Sequence, residues 1–215
     1  MKLLSTKILD DHNFGKISKE KITLYQYNAI DVKEVDFNSP SHIKNAIFTS
    51  KHAVYAVLKK KITINNCYCV GEKTKSLLLN KSQKVVKNSK NAQELADFIV
   101  KKAKNDDFMF FCGNRKREEL PNILIDNKVN LSIIETYNTN LNFKKINTDF
   151  EAIMFFSPSA IESYTKLNKI KNETIFTIGE TTSKAAQKYS NNIITAKSQS
   201  IEEVVKNVIK YSIND

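Results

Sequence analysis

The chain has 215 residues, 41% of them hydrophobic, and carries 34 Lys and Arg against 23 Asp and Glu, a formal net charge of +11. No long uncharged apolar run is present, which excludes a helical membrane span. The lysines are spread along the whole chain without a dense basic stripe interleaved with aromatics, and arginine is confined to Arg115 and Arg117, so no nucleic-acid partner is expected.

Leu3 to Leu9 reads as a first strand, and the short polar stretch from Asp10 to Ile22 leaves room for at most one short helix. Ile30 to Phe37 alternates apolar and charged residues, as a half-exposed connecting strand does. Ile47–Ser50 is the next strand, followed by a helix over about Lys51 to Lys60. Cys67–Val70 opens through Gly71 into a helix beginning at Glu72, and Val85–Val86 is a short strand. Asn91 caps a helix with Glu94 three residues on, and Leu95, Phe98, Ile99 and Lys102 mark its inward stripe. Phe108–Cys112 is wholly apolar, hence central in a sheet. A helix from Glu118 to Asp126 and a long strand from Leu131 to Leu141 complete the middle of the chain. Strands follow at Ala152–Phe156, Thr174–Ile178 and Asn192–Ala196, with Ser157 as an N-cap before Pro158. A final helix is capped by Ser200 with Glu203 as its capping-box partner.

One pattern occurs twice. Phe48-Thr49-Ser50 precedes a helix and then Val70-Gly71-Glu72-Lys73-Thr74; Phe156-Ser157-Pro158-Ser159 precedes a helix and then Ile178-Gly179-Glu180-Thr181-Thr182. Each copy is a buried strand ending in a hydroxyl-rich turn, a helix, and a second strand that breaks at glycine into another helix. Two related α/β halves therefore present helix N-termini at their strand ends, where ligands bind in open α/β sheets and free N–H groups favour anions. Each such terminus is worth about 0.3–1 kcal/mol at an exposed site. Useful affinity thus requires a ligand with several separated negative charges. The alternating segments Ile30–Phe37 and Ile134–Leu141 are expected to pair as the bridge between a discontinuous domain, 1–30 plus 142–215, and an inserted domain, 31–141, with the substrate cleft between them.

Other chemistries lack sequence support. Cys67, Cys69 and Cys112 are odd in number and read as structural thiols, and the scattered His12, His42 and His52 argue against a metal site. His52 reads as an ordinary surface residue. No Walker loop, Gly-x-Gly-x-x-Gly turn or nucleophile elbow occurs. The opening Met1-Lys2-Leu3-Leu4-Ser5-Thr6-Lys7 is too soon charged for a secretory signal, so a cytoplasmic location is expected, and, because no apolar surface helix stands out, a monomer.

The ordered set of these turns, with Phe111-Cys112-Gly113-Asn114-Arg115-Lys116-Arg117-Glu118-Glu119-Leu120-Pro121 and Glu135-Thr136-Tyr137-Asn138-Thr139, resembles the uroporphyrinogen-III synthase family from about Ile47 to the last helix. A departure lies between Asp10 and Ile22, where the family usually has a longer first helix. The resemblance implies two flavodoxin-like, doubly wound parallel-sheet α/β domains joined by a two-stranded antiparallel ladder. It implies a lyase that cyclises hydroxymethylbilane, a linear tetrapyrrole with eight carboxylates, to uroporphyrinogen III with loss of water and inversion of the last ring, needing no metal or organic cofactor. Tyr137 matches the family's candidate proton donor. Thr49, Ser50, Gly71, Lys73, Thr74, Gly113, Asn114, Lys116, Ser157, Ser159, Gly179, Thr181 and Thr182 fall at the positions expected to bind substrate. The alternative is a two-lobed polyanion-binding protein without catalysis.

Overall fold

The computed structural model describes residues 1–214. In chain order the elements are β1 (Lys2–Ser5), α1 (Asp11–Ile17), β2 (Thr23–Gln26), β3 (Ile30–Glu34), β4 (His42–Phe48), α2 (Lys51–Leu58), β5 (Thr63–Val70), α3 (Glu72–Asn80), β6 (Val85–Ser89), α4 (Ala92–Lys102), β7 (Asp107–Gly113), α5 (Glu119–Asp126), β8 (Asn130–Leu141), β9 (Ala152–Phe155), α6 (Pro158–Thr165), β10 (Thr174–Thr177), α7 (Glu180–Ala186), β11 (Ile193–Thr195) and α8 (Ile201–Asn214). Two compact units divide the chain: a terminal unit of Met1–Asp31 with the chain from Asn140 onward, and a middle unit, Val32–Thr139.

The terminal unit is built on a parallel five-stranded sheet in the order β11-β10-β9-β1-β2. Successive residues of a strand face opposite ways, and both faces here are apolar. Leu4, Ile153, Phe155 and Ile175 pack on one side with Ala160, Ile161 and Tyr164 of α6 and Ala186 of α7. Leu3, Met154 and Phe176 pack on the other with Val204, Val205 and Val208 of α8 and Ile17 of α1.

The middle unit repeats this scheme on a six-stranded sheet, β3-β8-β7-β4-β5-β6. Ala46, Phe48, Cys67, Cys69 and Phe111 face α2 and α3, whereas Ile47, Tyr68, Phe108, Phe110 and Cys112 face α4 and α5. Strand β7 lies inside the sheet, between β8 and β4, in keeping with its unbroken apolar run. At the sheet edge the N–H of Val35 donates to Thr136 and that of Asn142 to Ala29. Advance along one strand is retreat along the other, so β3 and β8 form the antiparallel ladder.

Three local expectations are corrected. The first strand ends at Ser5 rather than Leu9, because the Thr6 hydroxyl turns onto the Met154 carbonyl while the N–H groups of Ile8 and Leu9 go to the side chains of Asn28 and Gln26. Thr23–Gln26, unassigned in the sequence, is an edge strand with only partly covered side chains. Lys102 is exposed, and Ala96 takes the inward place beside Leu95 and Ile99.

Candidate functional site

In the middle unit the chain leaves β4 at Phe48, passes the half-buried Thr49 and enters α2 through Ser50. Ser50 has extended backbone and its Oγ accepts from the His52 N–H at 3.2 Å. The next turn, from β5 into α3, places Gly71 at the cap with φ 88°, a left-handed conformation that favours glycine. Its carbonyl accepts from the Thr74 and Lys75 N–H groups. Lys73 is exposed on the first turn of α3, whereas Thr74 is only 5% exposed and belongs to the helix packing.

At the end of β7, Gly113 is buried under the ring of Tyr137. Asn114 does not offer an unused carboxamide oxygen: its Oδ1 accepts from the Thr139 N–H at 2.9 Å, bracing β8. Lys116 is engaged as well, with Nζ 3.4 Å from Glu118 and 3.7 Å from Glu135. Burial works against its charge, but the two carboxylates outweigh it and hold the ammonium above its ordinary range. Both residues therefore support the turn.

Tyr137 is the centre of this edge. Its phenol lies beside the Ser50 side chain, and its ring lies 5.4 Å from that of His52, tilted by 47°. Burial lifts the phenol above the ordinary tyrosine range, partly opposed by the neighbouring Ser50 side chain. The group is thus a proton carrier throughout the neutral range. His52 is exposed, as expected, but its contact with Tyr137 was not visible in the sequence. The only available signal was its place two residues beyond the hydroxyl-rich turn that ends at Ser50.

The terminal unit has the corresponding turns. Ser157 caps α6, its Oγ accepting from the Ala160 N–H at 3.1 Å, with Pro158 at the start of the helix and Ser159 half-buried behind it. Gly179 precedes α7 with φ 170°, extended backbone open to any residue; a Cβ there would stand 3.1 Å from Gln199 Cγ. Thr181 is exposed and Thr182 is 3% exposed. Each unit therefore carries, on its own carboxyl edge, helix N-termini opened by a hydroxyl cap and by glycine.

Two doubly wound α/β units, each with helix N-termini at the ends of its parallel strands, define the class of fold. The chain belongs to the uroporphyrinogen-III synthase family: the family model described as uroporphyrinogen-III synthase HemD matches residues 29–206. Its function is accordingly uroporphyrinogen-III synthesis in tetrapyrrole biosynthesis. No curated protein sequence matches the chain significantly. Among solved structures, it is similar in fold to uroporphyrinogen-III synthetase from Helicobacter pylori, with 15% identity, TM-score 0.69 and coverage of 98% of this chain and 99% of that one. It is also similar to a mutant uroporphyrinogen III synthase from Thermus thermophilus, with 8% identity, TM-score 0.71 and coverage of 100% and 99%.

Proposed function

We propose that the chain acts as a cyclising hydro-lyase on hydroxymethylbilane, with Tyr137 as the acid that releases water. The substrate's carboxylates are taken up by the strand-end amides and hydroxyls around Tyr137 in the middle unit. The phenol donates its proton to the terminal hydroxyl as the C–O bond breaks. Water leaves, an azafulvenium cation and a phenolate remain, and the substituted α-carbon of the last ring attacks to give a spirocyclic pyrrolenine; the bond from that carbon to its original methylene then breaks, and the freed methylene closes on the ring's unsubstituted α-carbon. The proton lost from the pyrrole on closure returns the phenolate to phenol. Much of the acceleration is positioning, because an unaided chain closes to the uninverted isomer.

The observation that carries this reading is the placement of a half-buried phenol beside Ser50 and His52 at the N-terminus of α2. Three buried thiols left unpaired suit a reducing, cytoplasmic setting, and single-copy action completes the proposal, to be checked by sizing the protein in solution. The test is turnover and product-isomer analysis of Tyr137→Phe on freshly generated hydroxymethylbilane. Turnover should fall about tenfold or more, equivalent to roughly 1.4 kcal/mol of barrier or above, with uroporphyrinogen III still the product. Undiminished turnover removes the acid role. Formation of the uninverted isomer alone by the unaltered protein would leave only a polyanion binder.

A further inference from the structure

Strand β8 contains an irregularity that determines which way Tyr137 faces. Pairing with β7 runs in unbroken parallel register from Asp107 opposite Asn130 to Cys112 opposite Glu135, and then Gly113 stands opposite Tyr137. Thr136 is the extra residue of a one-residue bulge. In a regular strand a single-residue slip moves a side chain to the other face. Ile134 packs against the cluster that includes α2 and α3, so strict alternation would send Tyr137 to the α4 and α5 face. With the bulge, Tyr137 packs with the same cluster as Ile134 and meets Ser50 and His52.

The bulge is fastened on both sides. Thr136 is fully buried and its hydroxyl donates to the Cys112 carbonyl at 3.2 Å. The Thr136 carbonyl accepts from the Val35 N–H at 3.1 Å, and the Tyr137 carbonyl from the Asn114 N–H at 3.2 Å. Gly113 supplies the remaining condition. A Cβ on it would stand 2.5 Å from Tyr137 Cζ and 2.9 Å from Cδ2, whereas its backbone lies outside the left-handed region. The requirement for glycine is therefore steric and is imposed by the ring. Because ordinary carbon contacts begin at about 3.5 Å, an added methyl would displace the far end of the ring by roughly 1 Å. A hinged aromatic side chain can yield that much with the strand intact.

We infer that Gly113 and Thr136 are positioning residues for the Tyr137 phenol: the bulge turns the ring onto the α2 face, and the missing side chain at Gly113 lets it lie flat enough to reach Ser50. This rests on the acid role given to Tyr137, and it assigns Gly113 a different duty from direct contact with substrate. Misplacement of a reacting group by 1 Å can cost up to about a hundredfold in rate.

The test is a double-mutant cycle with Gly113→Ala, Thr136→Val and Tyr137→Phe. Gly113→Ala and Thr136→Val should each lower kcat about tenfold with KM changed less than about twofold, and Thr136→Ser should restore most of the loss. On the Tyr137→Phe background, where no hydroxyl remains to be misplaced, both should cost less than about twofold. Equal losses on both backgrounds, or a rise in KM alone, overturn the inference. A second readout is independent of catalysis. In protein labelled with 13Cζ-tyrosine, the Tyr137 resonance, assigned by its loss in Tyr137→Phe, should shift in Gly113→Ala and titrate at lower pH as burial is relieved. An unmoved resonance with an unmoved titration refutes the placement even if Tyr137 proves dispensable for turnover. Undiminished turnover in Tyr137→Phe with a displaced resonance in Gly113→Ala instead refutes the acid role alone.

Discussion

Removing the hydroxyl of Tyr27 should stabilise the terminal unit, against the usual direction of core substitutions. Tyr27 is 7% exposed and packs in the cluster of Leu4, Phe150, Phe155 and Tyr164. Its Oη is buried, and among the described residues it has no hydrogen-bond partner. Burial pushes the phenol up to about 12. A buried polar group left unmatched costs about 1–3 kcal/mol, whereas Tyr27→Phe keeps the ring and its contacts, including the Lys144 ammonium 5.7 Å from the ring centre. The substitution should therefore return up to about 1–3 kcal/mol, each kcal/mol raising the midpoint by about 4–8 °C in a unit of about 100 residues.

The two units need not unfold together, so the assay must report on the terminal one. Amide hydrogen exchange of β1 and β9, followed through urea unfolding, does this, with amides of β4 and β7 as the internal control. Protection should rise in the first set and stay constant in the second. A loss above about 0.5 kcal/mol would refute the reasoning, because that is the signature of a hydroxyl whose bond has been removed.

Two further outcomes follow from single contacts. Ser157→Ala removes the acceptor for the Ala160 N–H and should cost the terminal unit about 1 kcal/mol, with Ser157→Asp recovering most of it; equal urea midpoints for all three proteins would refute the capping role. Burial pushes Cys67 up to about 12 and Cys69 and Cys112 up to about 11, from an ordinary value of 9.0. In the unfolded chain these thiols ionise first, so the folded state retains their protons longer. Their contribution is fully present below pH 9 and is lost as pH rises through 11 to 12. The urea midpoint of the middle unit should fall over that interval, and a flat profile to pH 11 would contradict the burial of the thiols.

Features closed within a few residues were legible in the sequence. The caps at Asn91, Ser157 and Ser200 all accept from N–H groups three residues on, and the apolar β7 announced its interior position. The first strand was overextended because its end is decided by Asn28 and Gln26, distant side chains that take the N–H groups of Ile8 and Leu9. Strand β2 was missed because an edge strand of four residues needs only weak alternation, and Thr23-Leu24-Tyr25-Gln26 supplies no more. Among the candidate binding residues, local spacing placed the turns correctly but could not show how their polar atoms are used. That Lys116 is held by Glu118 and Glu135, and Asn114 by Thr139, depends on how β7 and β8 lie together.

Tyr137 shows why the rest was hidden. Reading along β8, alternation assigns Ile134 to the face it occupies and would assign Tyr137 to the wrong one. What corrects it is one inserted residue, and a bulge is a relation between two strands, invisible in either alone. The composition of the turn is equally mute: Gly113 reads as a tight turn or a close approach to ligand, and only the ring above it reveals the need for space. Local rules break where a functional geometry overrides them. Here the break moves a phenol from one face of a sheet to the other, beside the hydroxyl cap of a helix.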